Sequence, residues 1–193
     1  MCKNSVQNLS KSGALENSIA WIKIMPFART PINFAADLAY TYQNNYNDAI
    51  KILKIGLKAN PKELSFMNNL AYAYALNGQT NEADNILMEL LPLVSKETDL
   101  YICAKATNGL NEYRKGHVEV GRQLYSEAIH YATQIGAVNL VHKALLNNIR
   151  EEIHANPQYD TELLQLLDKL HTGNERETEA MKGEIKRMLY FSK

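Results

Sequence analysis

Leu70-Ala71-Tyr72-Ala73-Tyr74 repeats, 32 residues later, the run Leu38-Ala39-Tyr40-Thr41-Tyr42. Each run is followed by a polar corner, then by an Ala with a Leu four residues on: Ala49 and Leu53 in the first case, Ala83 and Leu87 in the second. Ala49 and Ala83 lie 34 residues apart. The two-residue difference falls in the corner, where Asn44-Asn45 stands against Leu76-Asn77-Gly78-Gln79. Asn and Gly both tolerate the left-handed conformation that ends a helix. The pattern predicts a helix–corner–helix unit. Large Leu38, Tyr42, Leu70 and Tyr74 share one helix face at three-and-four spacing, while small Ala39, Ala71 and Gly109 let paired helices cross closely. Ile50, Leu53, Ile55 and Leu57 are the expected apolar side of the first unit's second helix. Ile86, Leu87, Leu90 and Leu91 do the same in the second unit. A single helix pair cannot bury such stripes, so units must stack.

This spacing resembles the tetratricopeptide repeat, Trp-x2-Leu-Gly-x2-Tyr, then Ala-x3-Phe, then Pro, with a period of about 34 residues. Residues 64–97 match best: Met67 at the Trp place, then Leu70, Ala71, Tyr74, Gly78, Ala83 and Leu87. Residues 32–63 match at Leu38, Ala39, Tyr42, Ala49, Leu53 and Pro61. A weaker unit at about 98–134 keeps Gly109, Gly116, Tyr125 and Ala128, with Gly121 where Ala is usual. There Asn108 and Glu112 occupy apolar places of the family. A fourth pair at 138–171 keeps the pattern loosely. The resemblance implies an all-α fold, a right-handed α-α superhelix (solenoid) of helix pairs. The organisation expected is a loose tail over 1–13, the array over 14–174 and a polar-faced capping helix over 175–193.

It also implies a function: a protein–protein interaction module that holds a partner peptide or helix in a concave groove lined by the first helices. On this register the groove residues are Asp37, Tyr40, Asn68, Asn69, Tyr72, Thr107, Lys143 and Asn147, with Arg150 continuing the fourth unit. Tyr brings area and a hydroxyl at small entropy cost, and an Asn amide can satisfy both the donor and the acceptor of a peptide backbone. For Tyr40 and Tyr72 the competing expectation is packing against the next unit. Family members that clamp a terminal carboxylate use Lys and Asn on one first helix, Asn on the next, and Lys and Arg on the third. Ala36, Tyr40, Asn69, Cys103 and Thr107 stand at those places. Only Asn69 agrees, so no such clamp is expected. The alternative function is structural: self-association as a homo-oligomer, or an accessory domain of a larger assembly.

Local signals set the expected helix limits. Asn60-Pro61-Lys62-Glu63 reads as a cap, a first-turn Pro and a Glu three residues after the cap. Thr80 or Asn81 is the expected cap for the helix of Ala83, and Asp160 or Thr161 for that of Leu163, Leu164, Leu166 and Leu167. Residues 14–25 read as a helix with Ile19, Ile22 and Met25 on one side.

Chemistry is sparse. The sequence has no Gly-x-Gly-x-x-Gly, no Gly-Lys-Ser/Thr and no Gly-x-Ser-x-Gly. His117, His130, His142, His154 and His171 lack metal-ligand spacing. Glu151-Glu152 beside His154 reads as a solvated helix face. Cys103 reads as a small buried hydrophobe. No enzyme activity, cofactor or metal is expected. Cys2 and Cys103 are the only thiols, and no stretch is apolar enough for a membrane helix or leader. A cytoplasmic location without membrane contact is the expectation.

The formal charge of zero comes from 21 basic and 21 acidic residues. It argues against nucleic acid as a partner, which needs a basic surface. The balance hides blocks: +5 over residues 1–62, −5 over 63–100, +3 over 101–150 and −3 over 151–193. Opposite blocks are placed to attract across unit junctions, or to present distinct patches.

Overall fold

The computed structural model describes residues 2–156, 165, 167 and 176–191. Nine helices run through them: α1 (Cys2–Ile24), α2 (Arg29–Asp37), α3 (Tyr46–Ala59), α4 (Leu64–Leu76), α5 (Thr80–Leu90), α6 (Asp99–Arg114), α7 (Val118–Gln134), α8 (Val138–Ala155) and α9 (Arg176–Phe191). Among the described residues there is no strand. Neighbours in sequence pack together as α2 with α3, α4 with α5 and α6 with α7. Alternate helices also meet: α2 with α4, α4 with α6, and α6 with α8. The second helix expected in the fourth unit, with Asp160, Thr161, Leu163, Leu164 and Leu166, lies outside the described residues. Leu167 is described and buried.

Three corners are built alike. Gly78, Gly116 and Gly136 have φ of 75°, 86° and 71°. The amide after each reaches back five residues, as Gln79 N–H to Tyr74 O at 2.9 Å, His117 N–H to Glu112 O at 2.9 Å and Ala137 N–H to Ala132 O at 2.8 Å. These bonds satisfy carbonyls that the helix end leaves open. The first corner differs. A π-turn over Leu38–Tyr42 widens the end of α2, and Asn44 takes the left-handed position at φ 51°. The shorter first unit is thus made by a wider last turn as well as a shorter link. Asn45 then caps α3 by accepting from the Asp48 N–H at 3.2 Å.

Three expectations are corrected, and α1 runs from Cys2 through the interval read as a tail: residues 2–12 contain no Pro, and nothing interrupts the backbone ladder leading into Leu15–Ile24. Asn60 ends α3 instead of starting α4, whose cap is Glu63, accepting from Ser65 N–H at 3.4 Å. Gln79, which makes no side-chain capping bond, precedes α5 where Thr80 or Asn81 was expected to cap. Ile55 is 48% exposed and stands outside the core.

At the inside, Ala39, Ala49, Ala71 and Ala83 are fully buried. In the third unit both small places are glycine. A Cβ on Gly121 would meet the carbonyl oxygen of Gly109 at 2.9 Å and press into the Tyr113 ring; one on Gly109 would meet Tyr125 at 3.0 Å. The backbones of α6 and α7 therefore touch here, and the rings of Tyr113 and Tyr125 fill the space beside them, with centroids 6.0 Å apart. Helix α9 packs on α8 and also reaches the π-turn of the first unit. Its Met181 and Ile185 join Leu146, Ile149, Ile153 and Leu167 in a buried cluster.

The charge blocks meet at the junctions. Arg29 pairs with Glu63 at 3.0 Å, Lys115 with Asp84 at 3.0 Å, Arg114 with Glu151 at 3.0 Å and Arg122 with Glu152 at 2.7 Å. Each pair joins a basic block to an acidic one.

Two predictions follow from this packing. Gly121→Ala is expected to cost about 1–3 kcal/mol through overpacking, whereas Gly183→Ala, in α9 with open space around it, is expected to stabilise by about 0.5–1 kcal/mol. Urea denaturation of both variants checks the opposite signs. The second concerns acid. Hydrogen bonds from Lys51, Lys105 and Arg122 hold Asp48, Glu127 and Glu152 below the ordinary carboxylate range. A lowered folded pKa contributes stability that is complete above the unfolded value, about 4, and is lost as pH falls through the folded one. The urea midpoint should therefore drop on acidification below about pH 4.5, and Glu152→Gln should flatten part of that drop. A midpoint that rises on acidification contradicts the assignment.

Candidate functional site

Helices α2 with its π-turn, α4, α6 and α8 face one cavity of about 820 Å³. Asp37, Tyr40, Asn68, Asn69, Tyr72, Thr107, Lys143 and Asn147 all line it. They come from α2 with its π-turn, α4, α6 and α8. A helix repeats its face every three or four residues, so positions about one turn apart on each of these helices share the side that faces the cavity.

Hydrogen bonds tie these residues into two crossings. In the first, Thr107 Oγ donates to Asn68 Oδ1 at 3.1 Å, Asn68 Nδ2 to Asn69 Oδ1 at 3.3 Å, and Asn69 Nδ2 to Asn33 Oδ1 at 3.1 Å. This relay runs in one direction from α6 through α4 to α2. Asn68 and Thr107 are only 7% and 4% exposed, so their polar groups serve each other more than the cavity. In the second crossing, Tyr40 meets Tyr72 edge-to-face with centroids 5.2 Å apart. The Tyr72 hydroxyl then donates to Asn147 Oδ1 at 3.0 Å, joining α4 to α8. Tyr40 and Tyr72 thus both pack on their neighbours and line the cavity.

Several lining residues escaped the sequence reading. Asn33 and Phe34 lie one turn before Asp37, where periodicity would have found Asn33. Tyr46 follows the first corner, and burial pushes its phenol pKa up. Met181 and Glu184 come from α9. No local pattern places a distant helix there.

The pair Glu151-Glu152 requires correction: it is not a solvated face. Glu151 is 1% exposed and sits between two guanidiniums. Arg150 Nε donates to its Oε1 at 2.8 Å, and Arg114 Nη2 donates to Oε1 at 3.2 Å. Arg150 Nη2 is sealed from solvent and has no acceptor. Burial opposes the charge of Arg150, but Tyr72, Glu151 and Tyr125 around it outweigh that and raise its pKa. Glu152 is gripped by Arg122 at 2.7 and 2.9 Å and accepts from Tyr113 at 2.5 Å. Cys103 is half-buried and lines the cavity rather than the core.

Among the described residues no three His, Cys, Asp or Glu side chains gather as a metal site, and no helix is long and apolar enough to cross a membrane. His171 lies outside the described residues. No protein-family model, curated protein or solved structure matches the chain.

If the relay is structural, Asn68→Ala should lower unfolding free energy by about 1–3 kcal/mol, because Thr107 loses its acceptor in a buried place. Chemical denaturation measures this. A change within about 0.5 kcal/mol would place Asn68 among ordinary surface positions.

Proposed function

We propose that this chain is a tetratricopeptide-like, right-handed stack of helix pairs whose cavity binds a segment of a partner protein. One observation carries the reading: the first helices of four successive units contribute to a single cavity. Its volume of about 820 Å³ is within the range of specific ligand sites. Asn33, Asn69 and Asn147 offer amides suited to a peptide backbone, and Tyr40, Tyr46 and Tyr72 offer flat amphipathic area. The role proposed is recognition rather than catalysis. A cytoplasmic setting belongs to the same reading, on the sparse cysteine usage.

The test is affinity capture from native lysate with the wild type beside Asn69→Ala plus Tyr72→Ala, folded state checked by circular dichroism. The double change is expected to release the captured partner. Capture of the same partners by both proteins contradicts the groove.

A second reading rests on a different surface. Trp21, Ile24, Met25 and Phe27, at the end of α1 and the turn after it, are 46%, 78%, 41% and 61% exposed. Clustered exposed apolar groups mark interfaces. Self-association through this end predicts a concentration-dependent sedimentation coefficient, abolished by Trp21→Ser plus Phe27→Ser.

A further inference from the structure

Two sets of contacts mark levels across the cavity. Asn33, Asn69, Asn68 and Thr107 define one; Tyr40, Tyr72 and Asn147 define the other. On α4 the step from Asn69 to Tyr72 is about one turn. Asn33 precedes Tyr40 as Asn69 precedes Tyr72, so α2 and α4 run the same way. Helices α6 and α8 do too: Ala106 and Leu140 pack on the cluster of Ile102 near their starts, while Tyr113 and Arg114 bond Asn148 and Glu151 further along. The cavity therefore has two unlike ends. At the starts of α6 and α8 its lining is Ile102, Cys103, Ala106 and Leu140. Ala106 and Leu140 are only partly buried, so apolar surface faces the open space. At the other end stand Arg114, Arg150, His154 and Glu184, whose charge acts on His154. Glu151 lies behind the two guanidiniums. The remaining charges on the wall are Asp37 and Lys143, and each already has a partner. Lys143, about one turn along α8 from Leu140, is the charge nearest the apolar end along that helix.

We propose that the end of the cavity at the starts of α6 and α8 is an apolar subsite, which takes an uncharged aliphatic side chain of the bound segment. The proposal deepens the peptide-binding reading and rests on it. Charge complementarity selects this occupant. An ionised side chain seated beside Ile102 and Leu140 would lose its water and meet no counter-charge that is not already engaged, a costly exchange. An aliphatic one gives up no polar contact and takes apolar surface out of water on both partners. The level of asparagines beside the subsite offers amides to the flanking peptide groups. Charged side chains of the same segment belong at the opposite end, so the two ends together set its direction in the cavity.

The test is an NMR titration of the full chain with N-acetylleucinamide, with N-acetylglycinamide, which has no side chain, and with N-acetylglutamic acid α-amide, which carries a charged one. Methyl resonances of Ile102, Ala106 and Leu140 are the readout. The leucine probe is expected to shift them and to bind about tenfold or more tighter than either other probe, the effect of burying one aliphatic side chain. Ala106→Leu, which fills the subsite, should erase that preference and leave the glycine probe unchanged. Leu140→Asn makes the wall polar and should do the same; this arm decides if Ala106→Leu does not fold, and the wild-type comparison decides if neither does. Equal affinities of the three probes, shifts confined to other methyl groups, or a leucine preference that survives in a folded variant overturn the proposal. Captured partners lost in the Asn69 and Tyr72 variant, together with no leucine preference, would sink the subsite alone. Unaltered capture with a clear leucine preference would sink the groove reading and leave the apolar site.

Discussion

Two backbones touch where Gly109 and Gly121 oppose each other, and the packing of α6 on α7 takes its form from that approach. Helices joined by larger residues stand farther apart. With no Cβ on either side, α6 and α7 draw together, and the rings of Tyr113 and Tyr125 close the flanks. Tyr113 then carries the register onward: its hydroxyl reaches Asn148 at 3.0 Å and Glu152 at 2.5 Å on α8. The same α6 presents Thr107, Cys103 and Arg114 to the cavity. A small-residue crossing on one side of a helix thus fixes what its other side shows. Ala39, Ala49, Ala71 and Ala83 are the small, fully buried residues of the two preceding helix pairs.

Polar groups set the orientation that apolar packing leaves loose. The relay from Thr107 to Asn33 crosses three helices, with the oxygens of Asn68, Asn69 and Asn33 accepting and the amide nitrogens of Asn68 and Asn69 donating. Slipping one helix by a residue would break both neighbours at once. Buried ion clusters have the same effect of selecting one arrangement while adding little net stability. Arg114, Glu151 and Arg150 form such a cluster between α6 and α8.

The sequence made the units and the cavity wall legible because both depend on local periodicity. Leu-Ala-Tyr-x-Tyr assigns core and inner positions within a single helix, and all eight residues picked for the groove line one cavity. That placement speaks to geometry, and occupancy by a partner is a separate matter. What stayed illegible depends on contacts distant in sequence or on competing caps. Glu151 looked solvated because its partner Arg114 lies 37 residues away. Asn60 looked like a cap because Asn ends helices as readily as it starts them. The π-turn over Leu38–Tyr42 had no sequence mark beyond a corner two residues short. The capping helix expected over 175–193 gave no sign of the meeting between α9 and the Leu38–Tyr42 turn.

That meeting bears on how the chain acquires its shape. Most of the helix packing joins neighbours in sequence, and topologies rich in local contacts form fast. The contact between α9 and the Leu38–Tyr42 turn joins segments from opposite ends of the chain. Loop-closure entropy places it last in order of assembly. The units can therefore form one after another as the chain emerges during synthesis, while the wall supplied by Met181 and Glu184 is added only after the C-terminal helix has been made. Until then the cavity lacks the lining that Met181 and Glu184 provide.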